Sequence, residues 1–170
     1  MYKEAIKDAI SMHELPSKWP PDLLAEAQKV TKKKKAAKYR KDLRNLPFAT
    51  IDGADAKDFD DAVYCIKNAS DYKLYVAIAD VSFYVESGSK LDNEAKKRGT
   101  SIYFPGTVVP MLPESLSNGI CSLRPNEDRC SRISAMTIGV GGKRKKKKIH
   151  RGPIKAKTIV TRNQGEKERK

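Results

Sequence analysis

Charge divides this 170-residue chain into three parts, and the division limits where a core can form. Residues 1–45 carry 12 basic and 6 acidic side chains, residues 46–142 carry 10 and 13, and residues 143–170 carry 13 and 2. A slightly acidic middle, which holds most of the short β-branched and aromatic runs, therefore lies between two basic flanks. Basic flanks attract polyanions, nucleic acid foremost, although lysine runs also serve as solvated tails. The expected organisation is a helical basic connector over 1–45, a folded portion over 46–142 and a poorly ordered Lys/Arg-rich tail over 143–170.

Hydrophobic residues make up 39% of the chain and charged residues 33%, enough for one domain and at most one and a half. No apolar run approaches the roughly 20 residues of a spanning helix, so no membrane association is expected. The opening MYKEAIKDAI has no apolar centre of the signal-peptide kind. Cys65, Cys121 and Cys130 form no C-x-x-C spacing. That argues against a disulfide framework and a zinc site and fits a reducing, cytoplasmic location, with all three as small buried or half-buried residues.

Helical spacing of Ala5, Ile6, Ala9 and Ile10 predicts a helix over 2–12, closed by Leu15-Pro16. Pro20-Pro21-Asp22 opens a second through Leu23, Leu24, Ala27 and Val30. From Lys32 to Lys41, seven residues in ten are basic, which reads as a solvated connector or a phosphate-facing stripe. Strands are predicted over 48–51, 62–66, 72–79, 101–104 and 132–140. Ser89 caps a helix over 90–98 that Gly99 stops, and a short helix over 113–118 ends at Gly119. The fold class is α+β, with a mixed, largely antiparallel sheet and short helices.

One stretch carries chemistry. Asp52, Asp55, Asp58, Asp60 and Asp61 place five carboxylates in ten residues directly after a predicted strand. Crowded carboxylates raise one another's pKa unless a cation compensates them. A hard divalent ion, Mg²⁺ above all, binds through one or two carboxylates plus waters and substrate phosphates. An EF-hand fails, because from Asp58 the fifth, sixth and twelfth positions are Ala62, Val63 and Ala69. The other reading is an acidic, solvated turn. Further on, Pro105, Pro110, Pro113 and Gly119 force residues 98–123 along a fixed irregular path, the kind of segment that carries sites. Tyr103 or Phe104, neighbours on a strand, can offer one face on which a nucleobase stacks, and the alternative is that both are core.

The motifs TIDGADAKDFDDAV (50–63) and YVAIADVSFYVESGSKLDNEAKKRGTSIYFPGTVVPMLPESLSNGICSLRPNEDR (75–129) resemble the ribonuclease II / ribonuclease R family. The likeness is to the start of its catalytic RNB domain, over roughly 46–140, and LPSKWPPDLLAEA (15–27) resembles the helical connector before it. The resemblance implies hydrolysis of single-stranded RNA from the 3′ end with Mg²⁺, releasing nucleoside 5′-monophosphates, and no small-molecule cofactor. Matched by position, Asp52, Asp58, Asp60 and Asp61 are its metal-site aspartates. It makes Asp60 the most sensitive of them, Asp52 and Asp61 direct ligands, and Asp58 their catalytic support. Tyr103 matches the aromatic that stacks on the 3′-terminal base. Asp55 falls where the family varies, and Asp80 reads as structural.

The likeness covers the opening third of the family's catalytic domain. It includes neither the flanking cold-shock-type and S1 domains nor the later segment with the catalytic arginine and second clamp aromatic. Past about Thr158 the match fades. The expectation from this is a truncated or frameshifted reading frame. A different class of reading is an RNA-binding fragment without catalysis, held by its basic flanks. A third is a chain lacking too much of its native sheet to fold stably alone.

Overall fold

The computed structural model describes residues 2–32 and 39–161, which fall into two compact units, Met1–Lys33 with Tyr84–Ser117 and Lys34–Phe83 with Asn118–Lys170. The second unit is a closed five-stranded barrel. Its strands are β1 (Phe48–Asp52), β2 (Asp61–Asn68), β3 (Asp71–Ala79), β6 (Asp128–Gly139) and β7 (Arg144–Thr161). β2 and β3 form a hairpin from Asp61↔Ile78 to Asn68↔Asp71, turning through Ala69 at φ 49°. β3 pairs antiparallel with β6, and β6 with β7. β7 then runs parallel to β1, with Thr50 against Ile159, and this pairing closes the sheet.

Five strands leave a narrow interior, so the inward positions take small side chains between a few large ones. Ala62, Ala77, Ala135 and Ala156 alternate there with Phe48, Tyr75, Ile133 and Ile154, all buried. Tyr75 stacks on Tyr64 at 5.8 Å between centroids and meets the edge of Phe48 at 6.4 Å. The largely antiparallel α+β character expected from the sequence is present.

The expected flexible tail is not. Residues 144–161 form the longest strand of the chain, and the segment beyond 161 lies outside the described residues. Two causes override the lysine content. Ile154 and Ala156 bury every second side chain at 0% and 1% exposure. Nearer the turn, main-chain pairing with β6 from Ile138↔Arg144 to Asp128↔Lys155 asks nothing of the side chains. The connector also ends earlier than residue 45. Lys41 donates its backbone N–H to Arg151 O at 2.9 Å and Leu43 to Pro153 O at 3.0 Å, so this segment is laid against β7.

The first unit holds α1 (Tyr2–Met12), α2 (Pro21–Thr31), α4 (Lys90–Arg98) and the hairpin of β4 (Ile102–Phe104) and β5 (Thr107–Val109). The four-residue α3 (Val81–Tyr84) precedes α4. As expected, Ser89 Oγ accepts from Asp92 N at 3.2 Å at the start of α4, and Gly99 ends it at φ +76°. Arg98 organises this unit. Its guanidinium lies 3.5 Å from the Trp19 ring centroid and donates to Lys18 O, Pro110 O and Glu94. The predicted helix over 113–118 is an irregular helical turn over Ser115–Ile120, kinked at Gly119. The three cysteines are free; Cys121 and Cys130 are buried, and Cys65 is exposed. No helix among the described residues is long and apolar enough to cross a membrane.

Candidate active site

Asp52 is the last residue of β1 and Asp61 the first of β2, so residues 53–60 form a loop between two neighbouring strands. The antiparallel register sets Ala49 against Val63. Asp52 and Asp61 therefore lie at neighbouring strand ends, with Asp60 directly before Asp61 in the loop. The electrostatics agree with that placement. Asp60 sits above the usual carboxylate range, first through loss of hydration, then through the charges of Asp58, Asp52 and Asp61. These four predicted residues therefore share one electrostatic field. Asp55 is exposed on the turn where Ala56 N donates to Gly53 O at 3.2 Å, and it is not among the charges that act on Asp60.

The loop is held by a residue that sequence reading missed. Ser122, fully buried, accepts from Phe59 N at 3.0 Å and donates to Lys57 O at 2.9 Å through one hydroxyl. Leu123 N donates to Phe59 O at 2.8 Å, and Ala79 N to Asp60 O at 2.9 Å. Arg129, itself buried, donates from Nε to Ser122 O at 2.8 Å. Phe59 is buried at 6% exposure, so the aspartates project from a loop whose centre is fixed on the barrel. A lone serine among small residues gives no sequence signal for this part.

Among the described residues, no three His, Cys, Asp or Glu side chains gather closely enough to hold a metal ion by themselves. The donor chemistry nonetheless fits magnesium. The set is all carboxylate oxygen, its mutual repulsion is visible at Asp60, and magnesium characteristically completes its shell with water and substrate phosphate. Asp80 stands apart from this set, buried and bound to Arg40 at 2.7 Å. Tyr103 belongs to the other unit. On β4 it is 63% exposed, whereas its neighbours Ile102 and Phe104 are half-buried, so of the two adjacent aromatics Tyr103 is the one turned outward.

Comparison with known proteins places this geometry. The model of the RNB domain matches residues 40–167, wider at both ends than the stretch recognised by motif. Ribonuclease R of Vibrio cholerae is 51% identical over 138 residues, covering 79% of this chain and 17% of that protein. Ribonuclease R of Escherichia coli is 49% identical over 144 residues, covering 82% and 18%. Among solved structures, Mycoplasma genitalium RNase R in complex with double-stranded RNA superposes with a TM-score of 0.88 at 35% identity, over 96% of this chain and 30% of that one. The same protein with ribose methylated single-stranded RNA gives 0.88 over 96% and 26%. The chain thus spans under a third of each of these relatives, and over that span it belongs to the RNB domain family.

Proposed function

We propose that this chain carries the aspartate loop of a 3′→5′ exoribonuclease of the ribonuclease R type. Its reaction would be magnesium-dependent hydrolysis of RNA phosphodiesters with release of nucleoside 5′-monophosphates. The observation that carries this reading is the pairing of β1 with β2, which sets Asp52 and Asp61 on adjacent strand ends with Asp58 and Asp60 in the intervening loop. Relatives at about half identity are ribonucleases R, and a solved relative holds RNA.

Asp52, Asp58, Asp60 and Asp61 would hold the magnesium. When bound, that ion supplies Lewis acidity toward the scissile phosphodiester and offsets the negative charge brought in by RNA. The chain's own part is positional. Ser122 and Leu123 fix Phe59, and Phe59 fixes Asp58 and Asp60 on either side of it. Repulsion among the four carboxylates keeps the loop poised for a cation. Tyr103 would present its exposed ring to the 3′-terminal base, a contact of about 1–3 kcal/mol.

The test is 5′-labelled single-stranded RNA incubated with the purified chain and Mg²⁺, beside EDTA and Asp60→Asn controls. A ladder that shortens from the 3′ end and vanishes in both controls is expected. RNA that is bound but never shortened would instead support the non-catalytic RNA-binding reading. The observation favouring that second reading is that no three metal-ligating side chains converge among the described residues.

A further inference from the structure

We propose that the β6–β7 ribbon, where it leaves the barrel, is a docking site for the sugar–phosphate backbone of an RNA strand. Lys146, Lys148 and His150 alternate along β7 and so share one face. Across the sheet, Lys146 is opposite Thr137, which is opposite Lys73, and Lys148 is opposite Ala135, which is opposite Tyr75. Further down the barrel this same face is the buried interior, at Ala77, Ile133 and Ala135. At the rim it carries cations instead. Lys73 and Lys146 flank Thr137 from the two neighbouring strands, about 10 Å apart, and Lys73 Nζ lies 5.3 Å from the Tyr75 ring centroid. Lys41 is brought to the same place by its backbone bond to Arg151. His150 is held below its usual pKa by burial and then by Lys41, Lys148 and Lys73, so these groups share one field.

This cluster gathers on one face of the sheet and, among the described residues, is not neutralised. Lys145, one residue from Lys146, is paired with Asp71 at 2.7 Å, and Lys90 and Lys96 are paired with Asp22 and Asp92. Among the described residues, Lys41, Lys73, Lys146 and Lys148 have no carboxylate within ion-pair distance. Like charges gathered on one face repel one another until an anion lies between them. Along one face of a strand, side chains recur about every 7 Å, a spacing suited to successive phosphates of an extended strand. A phosphodiester backbone satisfies such a row without base contacts, so the site is sequence-independent and salt-sensitive.

This inference rests on the reading of the chain as RNA-acting, and the experiment separates the two. Binding of a fluorescent single-stranded RNA is measured by anisotropy against salt concentration, in EDTA, for the native chain and two triple variants. In one, Lys73, Lys146 and Lys148 become Gln. In the other, the ion-paired Lys90, Lys96 and Lys145 become Gln, giving the same net charge. The first variant should bind at least tenfold more weakly at low salt, with its log–log salt slope reduced by about 2; the second should stay within a factor of two or three of native. All six lysines are on the surface, and circular dichroism verifies the fold of each variant. Equal losses in both variants, or an unchanged slope in the first, would overturn the proposal. So would lysine-dependent binding of polyglutamate with RNA binding unaffected, which would assign the face to an acidic protein. Lysine-dependent RNA binding by a chain that never shortens RNA would sink the exonuclease reading and leave this site standing.

Discussion

Arg40 donates from Nη1 to Oδ2 of Asp80 across 2.7 Å, and the carboxylate that receives it is 1% exposed. The other oxygen, Oδ1, accepts from Ser82 Oγ at 2.9 Å and lies 3.4 Å from Nε of Arg132. The Arg40 guanidinium also lies 4.5 Å from the ring centroid of Phe83. Asp80 follows β3 directly, its backbone N–H bonded to Cys130 O and its carbonyl receiving Phe83 N at 2.9 Å. One carboxylate thus ties the segment entering the barrel to the end of β3 and the start of α3.

Breaking this pair from one side leaves a charge without its partner in a poorly hydrated place. Asp80→Ala should destabilise the chain by about 3 kcal/mol, read as a lower urea midpoint at unchanged slope. Arg40→Ala should cost nearly as much, and the double variant should cost less than the sum. Strict additivity of the two would show that the carboxylate draws its stability from elsewhere.

Asp60 runs the other way, because its environment opposes ionisation. Its pKa is higher in the folded chain than in the unfolded one. The folded state therefore holds that proton more readily, and stability from this group is present in acid and lost as pH rises through the folded value. Asp60 is exposed, so solvent screens the effect. At pH 7 Asp60→Asn should melt slightly above the native chain, and the gap should close as pH falls toward the ordinary aspartate value of 3.8. Adding Mg²⁺ should raise the native melting temperature more than that of the variant. A variant less stable than native at pH 7 would mean that the carboxylate is engaged by partners that favour its charge.

Much of this was legible in the sequence because local signals and tertiary structure agree. Residues 48–51, 62–66 and 72–79 lie within strands, and α4 is bracketed by the hydroxyl cap of Ser89 and the positive φ of Gly99. The aspartate cluster was legible as composition. Its geometry was not, since bringing Asp52 into the field of Asp60 depends on two strands pairing. The lysine tract misled for the same reason. Its side chains argue for solvent, which they reach, whereas its strand is held by the backbone of β6. Ser122 was invisible, because its effect lies in what its hydroxyl meets sixty residues away.

Ser122 offers a test of how the aspartate loop is held. Ser122→Ala leaves the buried N–H of Phe59 and the carbonyl of Lys57 without their shared partner. A buried donor left unsatisfied costs about 1–3 kcal/mol, so the melting temperature should drop. If the hydroxyl also positions Asp58 and Asp60, turnover of RNA should fall at saturating substrate while KM changes little. The magnesium-induced rise in melting temperature should shrink with it. A loss of stability with full turnover would restrict Ser122 to a structural part.

Gly152 is fixed by a backbone passing over it. A Cβ at this position would meet Lys41 O at 1.8 Å and Lys41 C at 2.8 Å, and both belong to main chain that cannot rotate aside. The crossing segment is itself bonded to β7 on either side of the glycine, through Lys41 to Arg151 and Leu43 to Pro153. Leu43 is buried at 5% exposure. Gly152→Ala must therefore push residues 41–43 off the strand, at a cost of about 1–3 kcal/mol for the misfit itself and more as Leu43 is exposed. The neighbouring turn gives the control, because a Cβ at Gly141 meets nothing within 4 Å and Gly141 lacks the positive φ of Gly142. Gly141→Ala should be close to neutral in the same urea titration. Amide hydrogen exchange should show faster exchange at Lys41 and Leu43 in Gly152→Ala alone. Native-like protection there would mean that the segment reaches β7 by another path.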